Sequence, residues 1–256
     1  MICLKKEYID CISVENIRES DRLTIENHVS GRLLMYRAAL GVYKAAEWHG
    51  DIAIAVGGGN NGGDGYALAC ILKKNDYPCR IVKLSEKLTR DSAYYAELAE
   101  SLCVPFEQYQ PGTFESADIV ADCLLGTGFA GSLREPWLSA VNEINNCGAM
   151  VVSVDINSGM NGDTGEAETA VQSDITVTIG FVKRGLVSPN AARYMKKLVA
   201  ADIGIVLQRE EYRIYPQCDS DETGDPESIR APGYLQFEPI DVSNAEMLNN
   251  RFITET

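Results

Sequence analysis

Histidine is scarce in this sequence, and basic residues are outnumbered by acidic ones. Only 2 histidines occur among the 256 residues, too few for a histidine-rich metal site. Lys and Arg total 23 against 37 Asp and Glu, and the formal net charge is −14. Because nucleic acids and anionic membranes are bound largely through Lys and Arg, neither is an expected partner of this chain.

Long apolar runs are also absent. No stretch of about 18 apolar residues is present that could cross a membrane, and the sequence becomes polar at Lys5 and Lys6 instead of forming a secretory leader. We therefore expect a cytoplasmic protein, in which cysteines stay reduced. No two cysteines form a CxxC pair, so we expect buried or incidental thiols and neither disulfides nor a metal framework. The cysteines are Cys3, Cys11, Cys70, Cys79, Cys103, Cys123, Cys147 and Cys218.

Apolar periodicity favours an α/β fold. Hydrophobic residues make up 45% of the sequence, enough for a sizeable core. Segments with the pattern of a buried strand alternate with segments of helical pattern, which predicts a mainly parallel sheet with helices on both faces. The predicted helices begin at the caps Ser13 and Ser30 and cover 66–74, 89–102 and 134–146; the predicted strands cover 52–56, 79–84, 116–125, 149–155, 174–179 and 198–205, with a short helix between the last two.

The first two helices and the C-terminal segment lead to predictions about oligomeric state and domain boundaries. The first two helices precede the first predicted strand and would be exposed unless a partner covers them, which favours a homodimer. After Tyr215 an acidic segment lacks an apolar period, so residues 1–215 are predicted to form one domain and residues 216–256 a tail that is partly disordered or docked. Within that tail, residues 234–237 have the pattern of a short docked strand.

A glycine-rich segment, residues 57–65, joins a predicted buried strand to a predicted helix. Glycines at such a junction let backbone amides approach a phosphate, whose negative charge the helix dipole favours. Asn60, Asn61 and Asp64 stand among these glycines, which differs from a dinucleotide fingerprint because their side chains can bond a ligand or a cation directly. A tight turn without a ligand is the alternative interpretation.

Three further strand ends carry polar or glycine-rich segments. Asp122 precedes the glycines of residues 126–131, Asp155 precedes residues 157–159, and Lys183 follows the strand that ends near Gly180. Ligands of open parallel sheets bind beyond the carboxyl ends of the strands, so these segments are predicted to meet in one crevice. Taken singly, each aspartate is as consistent with a turn or a helix cap, and Lys183 with a solvated surface lysine.

Together these motifs resemble the NAD(P)H-hydrate epimerases, the YjeF N-terminal domain family. The resemblance extends over about residues 14–205, with the motifs in the same order and at compatible spacing. It implies a Rossmann-like three-layer sandwich. It also implies an isomerase that interconverts the R and S epimers of hydrated NADH and NADPH, with a separate NAD(P)H-hydrate dehydratase as its functional partner.

The resemblance assigns site residues by position. The residues that would contact the substrate are Asn60, Asn61, Gly62, Gly63, Asp64, Gly126, Thr127, Gly128, Phe129, Ala130, Gly131, Ser132 and Asp155. Asn61, Asp122 and Ser158 would bind one potassium ion per subunit. All three provide hard oxygen donors, which suit an alkali cation and argue against zinc.

The chemistry of inversion indicates an acid/base residue. Inverting the hydroxyl-bearing carbon requires loss of water to give a ring cation and return of water to the other face. Asp155 can protonate the departing oxygen, later accept a proton from water, and stabilise the cation between these steps. Lys183 is predicted to assist by holding a carboxylate or a phosphate in place.

Two positions differ from the family pattern, and two other functions stay open. Asn157 replaces the usual proline, which predicts a looser segment beside Asp155, and Tyr36 replaces a glutamate expected near the crevice or at a subunit contact. One alternative is a non-catalytic ligand-binding or dimerisation scaffold, although Asp155 and the double asparagine are retained. The other is a nicotinamide-dependent dehydrogenase, for which the residues around Ser85 are a poor ribose-binding match.

Overall fold

An eight-stranded parallel sheet forms the centre of the protein. The computed structural model describes residues 8–215, 228–236, 239–248 and 251–252. The strands are β1 (Ile9–Ile12), β2 (Ile52–Val56), β3 (Cys79–Lys83), β4 (Phe106–Gln108), β5 (Ile119–Cys123), β6 (Met150–Val154), β7 (Ile175–Ile179), β8 (Val182–Lys183), β9 (Leu198–Asp202), β10 (Tyr212–Tyr215), β11 (Ser228–Arg230), β12 (Ile240–Asp241), β13 (Met247–Leu248) and β14 (Arg251–Phe252). The central sheet has the order β12-β9-β7-β6-β5-β2-β3-β4.

Helices cover both faces of this sheet. They are α1 (Val14–Asn27), α2 (Gly31–Ala45), α3 (Asn60–Lys74), α4 (Arg90–Ser101) and α5 (Trp137–Asn146), with short 3-10 helices at Arg184–Val187 and Ala191–Arg193. Alternate residues of β2 show the layering: Ile52, Ile54 and Val56 pack with α2, α3 and α4, whereas Ala53 and Ala55 pack with α5. The predicted α/β fold, a Rossmann-like three-layer sandwich, is confirmed.

The strand order contains a topological switch between β2 and β5. From β2 the chain proceeds outward through β3 and β4, then returns to the other side of β2 and continues outward through β5, β6, β7 and β9. Connections leave the two sides of such a switch in opposite directions, which opens a crevice at the carboxyl ends of the strands. The segments after β2, β5 and β6 therefore lie along one edge of the sheet.

A second, smaller sheet was not predicted. β1 and β8 pair in parallel, β10 pairs with β1 in antiparallel orientation, and β11 extends this sheet beyond β10. Its apolar side chains form a separate cluster that includes Cys11, Val182, Leu186 and Ile214. Because β8 has only two residues, it gives no periodic signal in the sequence.

The predicted helix caps are confirmed, but one helix begins earlier than expected. The side chains of Ser13 and Ser30 accept hydrogen bonds from backbone amides in the first turns of α1 and α2. Helix α3 begins at Asn60, six residues before the predicted start at Tyr66, with Gly59 at the N-cap position. Because glycine is a poor helix former, the sequence gives no sign that the helix begins at Asn60. In the folded protein, tertiary packing overrides this low propensity.

The N-terminal helices pack within the chain itself. α2 lies in the main core, where Tyr36, Ala39 and Val42 are almost completely buried. The premise of the homodimer prediction, that these helices need a partner to cover them, is therefore wrong for α2. The homodimer itself stays a prediction.

Parts of the predicted tail pair with the sheets. Tyr234 and Gln236 form backbone hydrogen bonds of 2.8 Å on either side of Leu198, as expected of a short docked strand. β12 extends the edge of the central sheet beside β9. Residues 216–227 and Phe237 lie outside the described residues, and the domain boundary at Tyr215 stays a prediction.

The described cysteines are free thiols, and four of them are buried. Burial raises the pKa of Cys70 to about 12, so this thiol is not reactive near neutral pH. Cys3 and Cys218 lie outside the described residues. Within the described part of the chain, none of the helices is long and apolar enough to cross a membrane.

Candidate active site

A cavity of about 920 Å³ opens at the switch between β2 and β5. Ten of the predicted site residues line it, namely Asn60, Asn61, Asp64, Gly126, Thr127, Gly128, Phe129, Ala130, Asp155 and Lys183. Gly62, Gly63, Gly131 and Ser132 are not among its lining residues, and Asp122 and Ser158 are completely buried beside it. The segments from separate strand ends thus converge on one space, as parallel topology requires.

Asp155 stands directly after β6 in a strained backbone conformation. Its φ of 68° lies in the left-handed region, and its backbone amide donates a 2.8 Å hydrogen bond to the carbonyl oxygen of Val177. Aspartate tolerates this region better than most residues, and such strain is common where a side chain is aimed at a ligand. The Asp155 side chain, 16% exposed, faces the cavity.

Lys183 is buried, not solvated. Its side chain is 1% exposed, and its Nζ donates hydrogen bonds to Asp155 Oδ1 (2.5 Å), Thr178 Oγ1 (3.0 Å) and the carbonyl oxygen of Ile179 (2.7 Å). Pairing of β8 with β1 holds the lysine there. A buried ammonium with three oxygen partners has little freedom to move, so it fixes the facing carboxylate in position.

Asn61 has unused hydrogen-bonding capacity. The residue is 7% exposed, lies in the first turn of α3, and lines the cavity. Neither Nδ2 nor Oδ1 has a hydrogen-bond partner among the described residues. Buried polar groups are almost always paired, so this amide points to a bound ligand.

Asp122 lies at the centre of a buried network next to the cavity. Its carboxylate accepts hydrogen bonds from Ser153 Oγ (2.8 Å), from the hydroxyl and backbone amide of Ser158 (2.5 and 3.0 Å), and from the backbone amide of Leu124 (3.3 Å). Burial raises the pKa of Asp122, whereas these hydrogen bonds lower it. No Lys or Arg of the described residues hydrogen bonds this carboxylate.

Residues 31–185 match the family described as YjeF-related protein N-terminus. The chain belongs to this family. The recognition made from the motifs is thereby confirmed, and the matched range includes the segments after β2, β5 and β6.

Relatives of known name support the same grouping. An NAD(P)H-hydrate epimerase of Rhodopirellula baltica is 34% identical over 208 residues, which are 77% of this chain and 85% of that protein. An NAD(P)H-hydrate epimerase of Limosilactobacillus fermentum is 30% identical over 75% of this chain and 95% of that protein. The bifunctional NAD(P)H-hydrate repair enzyme Nnr of Coxiella burnetii is 33% identical, but the match covers only 40% of its length.

A solved structure shares the fold. The crystal structure of yeast ynu0, YNL200c, aligns with a TM-score of 0.67 over 83% of this chain and 97% of that chain. At 19% sequence identity, this likeness supports the fold and nothing finer.

The two departures from the family pattern have different consequences from those expected. Asn157 is completely buried, and its Nδ2 donates to Val171 O, Ser173 Oγ and Tyr194 O at 2.9–3.0 Å, so the segment beside Asp155 is well fixed and the prediction of a looser one is wrong. Tyr36 is 1% exposed in the core and does not line the cavity.

Three further carboxyl groups, those of Asp21, Asp64 and Asp91, line the cavity with Asp155. Asp64 was predicted, whereas Asp21 of α1 was not assigned to the site. Burial, followed by the negative charges of Asp155 and Asp21, raises the pKa of Asp64 well above its usual value. A signal for Asp21 exists in the sequence, since Ile17, Asp21 and Ile25 are spaced by four residues on one helix face and all three line the cavity.

Gly62→Ala is expected to destabilise the fold by about 3 kcal/mol, the upper part of the range for overpacking. A Cβ on Gly62 would lie 2.1 Å from the backbone oxygen of Gly57, and a backbone atom cannot move aside as a flexible side chain does. Helix propensity alone favours alanine by about 1 kcal/mol. A loss of stability would therefore have to come from the steric clash with Gly57. Urea denaturation measures the change.

Gly59→Ala is the matched control. Gly59 adjoins the same turn, its φ is −103°, and a Cβ there meets nothing within 4 Å. Loss of the N-cap glycine should cost no more than about 1 kcal/mol. Equal stability of the two variants would contradict the tight approach of Gly57 to the start of α3.

Proposed function

We propose that this protein is an NAD(P)H-hydrate epimerase, an isomerase that interconverts the R and S epimers of hydrated NADH and NADPH. The observation that carries the proposal is the Asp155–Lys183 pair, which faces the same cavity as the glycine-rich start of α3. Related proteins named NAD(P)H-hydrate epimerase are 30–34% identical over most of the chain.

The start of α3 is suited to the phosphates of a dinucleotide. The first amides of a helix lack intrahelical acceptors, and the helix dipole favours an anion there. Asn60 and Asn61 add side-chain donors to the lining of the cavity. Gly126 keeps the facing segment close, since a Cβ there would lie 3.3 Å from both Asn61 Cβ and Asp155 Oδ2. We infer that the hydrated ring lies beside Asp155.

Asp155 would serve the charged stage of the reaction. When water leaves the hydroxyl-bearing carbon, the ring becomes a cation, and a carboxylate held in position beside it stabilises that charge. When water returns, Asp155 can accept its proton. Lys183 would hold the carboxylate in position by its three hydrogen bonds.

A potassium ion is proposed at Asn61, Asp122 and Ser158. The donors fit an alkali cation because they are oxygen atoms. In the part of the chain that the structure describes, the buried Asp122 carboxylate has no basic partner and the Asn61 amide has no hydrogen-bond partner. Among the described residues, no group of three His, Cys, Asp or Glu is arranged for a transition metal. Once bound, the cation would neutralise buried charge beside the phosphates of the substrate.

Potassium is expected to raise the melting temperature of the wild-type protein by about 4 °C relative to tetramethylammonium at equal ionic strength. A concentration ten times the Kd adds about 1.4 kcal/mol to the free energy of unfolding, and 1 kcal/mol corresponds to about 2–4 °C in a protein of this size. Asp122→Asn should melt at the same temperature in both salts. Equal melting of the wild type in both salts would refute the cation site.

The epimerase function is tested with separated substrate. One epimer of hydrated NADPH is isolated by chromatography, and its return to the mixture is followed with and without protein. We expect the protein to accelerate this return and to bind intact NADPH more weakly than the hydrate. No acceleration despite hydrate binding would favour the scaffold, and tighter binding of intact NADPH would favour the dehydrogenase.

Three predictions about context belong with this function. A separate NAD(P)H-hydrate dehydratase is proposed as functional partner, since related bifunctional repair enzymes are longer than the matched part. A homodimer and a cytoplasmic location are likewise proposed from the sequence alone.

A further inference from the structure

The reaction needs a proton donor that Asp155 is poorly placed to be. Loss of the hydroxyl as water requires a proton on the departing oxygen. The Asp155 carboxylate already accepts a 2.5 Å hydrogen bond at Oδ1 from the buried Lys183 ammonium, so this oxygen acts as an acceptor and not as a proton donor. Two groups whose environments differ in this way commonly divide the acid and base roles of a reaction.

Asp21 has the opposite environment. It lines the cavity from α1, is half-buried, and forms no hydrogen bond or ion pair with any described residue. Burial raises the pKa of Asp21, the negative charge of Asp155 adds to this effect, and Lys183 partly offsets it. Asp21 therefore retains a proton at higher pH than an ordinary carboxyl group does.

The C-terminal part of the domain fixes Asp21 over the cavity. On the neighbouring face of α1, Asn16 donates to the carbonyl oxygen of Arg209 (2.6 Å), and the hydroxyls of Ser20 and Thr24 accept hydrogen bonds from the amides of Gln208 (3.1 Å) and Val206 (2.9 Å). This set of bonds prevents rotation of the helix. The helix face that contains Ile17, Asp21 and Ile25 is consequently held toward the cavity.

The charged groups around Asp21 come from several elements. Asp64 faces it from α3, and Asp155 and Lys183 face it from the sheet ends. On α1 itself, Arg18 is directed to the carbonyl oxygen of Thr127. The same cavity is also lined by Lys87 and Asp91, and Arg32 forms an ion pair with Asp91. Asp64 likewise has no hydrogen bond or ion pair with a residue of the described ranges, and it is the competing proton donor.

We propose that Asp21 is a second catalytic carboxyl group, which donates the proton that releases the substrate hydroxyl, while Asp155 remains the carboxylate that stabilises the cation. This inference rests on the proposed epimerase function. The Asp21 proton passes to the hydroxyl oxygen, the carbon–oxygen bond breaks with its electron pair on water, and the ring nitrogen supplies the pair that forms the cation.

The second half of the reaction restores both groups. Water attacks the other face, a carbon–oxygen bond forms, and Asp155 accepts the released proton. Transfer of that proton from Asp155 to Asp21 returns the starting state. Atoms and charge balance, and no other reactant is required.

The test compares pH profiles for hydrated NADPH. Asp21→Asn is expected to lower kcat about 100-fold, the lower end of the usual range for a general acid, and to change KM less than threefold. In the wild type, kcat is expected to decrease as the pH rises and Asp21 loses its proton. This decrease of kcat at alkaline pH should be absent in Asp21→Asn. Acetate buffer should partly restore the rate of Asp21→Ala.

Control variants separate this role from a structural one. Glu19→Gln removes an exposed carboxylate of α1 that pairs with Arg22 and should leave kcat unchanged. Melting of Asp21→Asn within about 2 °C of the wild type is expected, because the carboxyl group has no partner to lose. Asp64→Asn should raise KM and should retain the decrease of kcat at alkaline pH.

The outcomes distinguish the two levels of inference. If the wild type is active and Asp21→Asn retains both its kcat and the decrease of kcat at alkaline pH, the role of Asp21 is overturned. The same conclusion follows if that decrease is lost in Asp64→Asn instead. A wild-type protein that does not accelerate epimerisation overturns the proposed function, and the role of Asp21 with it.

Discussion

Asp155→Asn is expected to lower kcat/KM for epimerisation about 1000-fold, within the range for loss of a base and of electrostatic stabilisation together. Asparagine tolerates the left-handed φ of 68° at this position, so the backbone should not change. Its amide oxygen can still accept a hydrogen bond from Lys183. The variant therefore removes charge and basicity while it preserves the shape of the site.

Asp174→Asn is the control for this substitution. Asp174 also pairs with a lysine, Lys196, but at the start of β7 and thus at the opposite edge of the sheet. Its loss should leave kcat/KM within about twofold of the wild-type value, since it lies far from the cavity. Chromatographic assays of both variants measure the difference, and an Asp155→Asn variant with more than a tenth of wild-type activity would contradict the assignment.

Lys183→Met is expected to lower the free energy of unfolding by about 3 kcal/mol and to reduce activity at least 100-fold. Removing one partner of a buried ion pair leaves the other charge uncompensated, which costs about 3–5 kcal/mol. We take the lower end because Asp155 is 16% exposed. Methionine matches the length of the lysine stem, so packing around β8 should change little. Urea denaturation gives the free energy.

Two companion variants test the reason for this loss. Lys196→Met removes a lysine that is 80% exposed, and it should lower the free energy of unfolding much less than Lys183→Met does. The double variant Asp155→Asn/Lys183→Met should be more stable than Lys183→Met alone, because no uncompensated charge remains. A double variant as unstable as the sum of the two single changes would show that the pair is not coupled.

Some of the site followed from the sequence because parallel topology constrains it. Asp155 ends a mainly apolar strand and Asn61 follows another, and the carboxyl ends of neighbouring parallel strands meet at one edge. Capping of α1 and α2 was also predictable, since Ser13 and Ser30 act on amides only a few residues away.

Other features depended on contacts between distant segments. Lys183 resembles a surface lysine in the sequence, and only the pairing of β8 with β1 buries it. Asp21 resembles a solvated residue of an amphipathic helix, and only the packing of α1 against residues 206–211 places it over the cavity. The start of α3 at Asn60 contradicts local propensity, because glycine is a poor helix former.

The sequence by itself determined the alternation of the main strands and helices, the parallel central sheet and the family, because these follow from local apolar periodicity and from motifs that are contiguous in the chain. The tertiary structure decided which charges are buried, which carboxyl groups face one another and how the polar groups around Asp155 are satisfied. Those properties arise from residues far apart in sequence, and the low dielectric that gives them their strength exists only after the chain has folded.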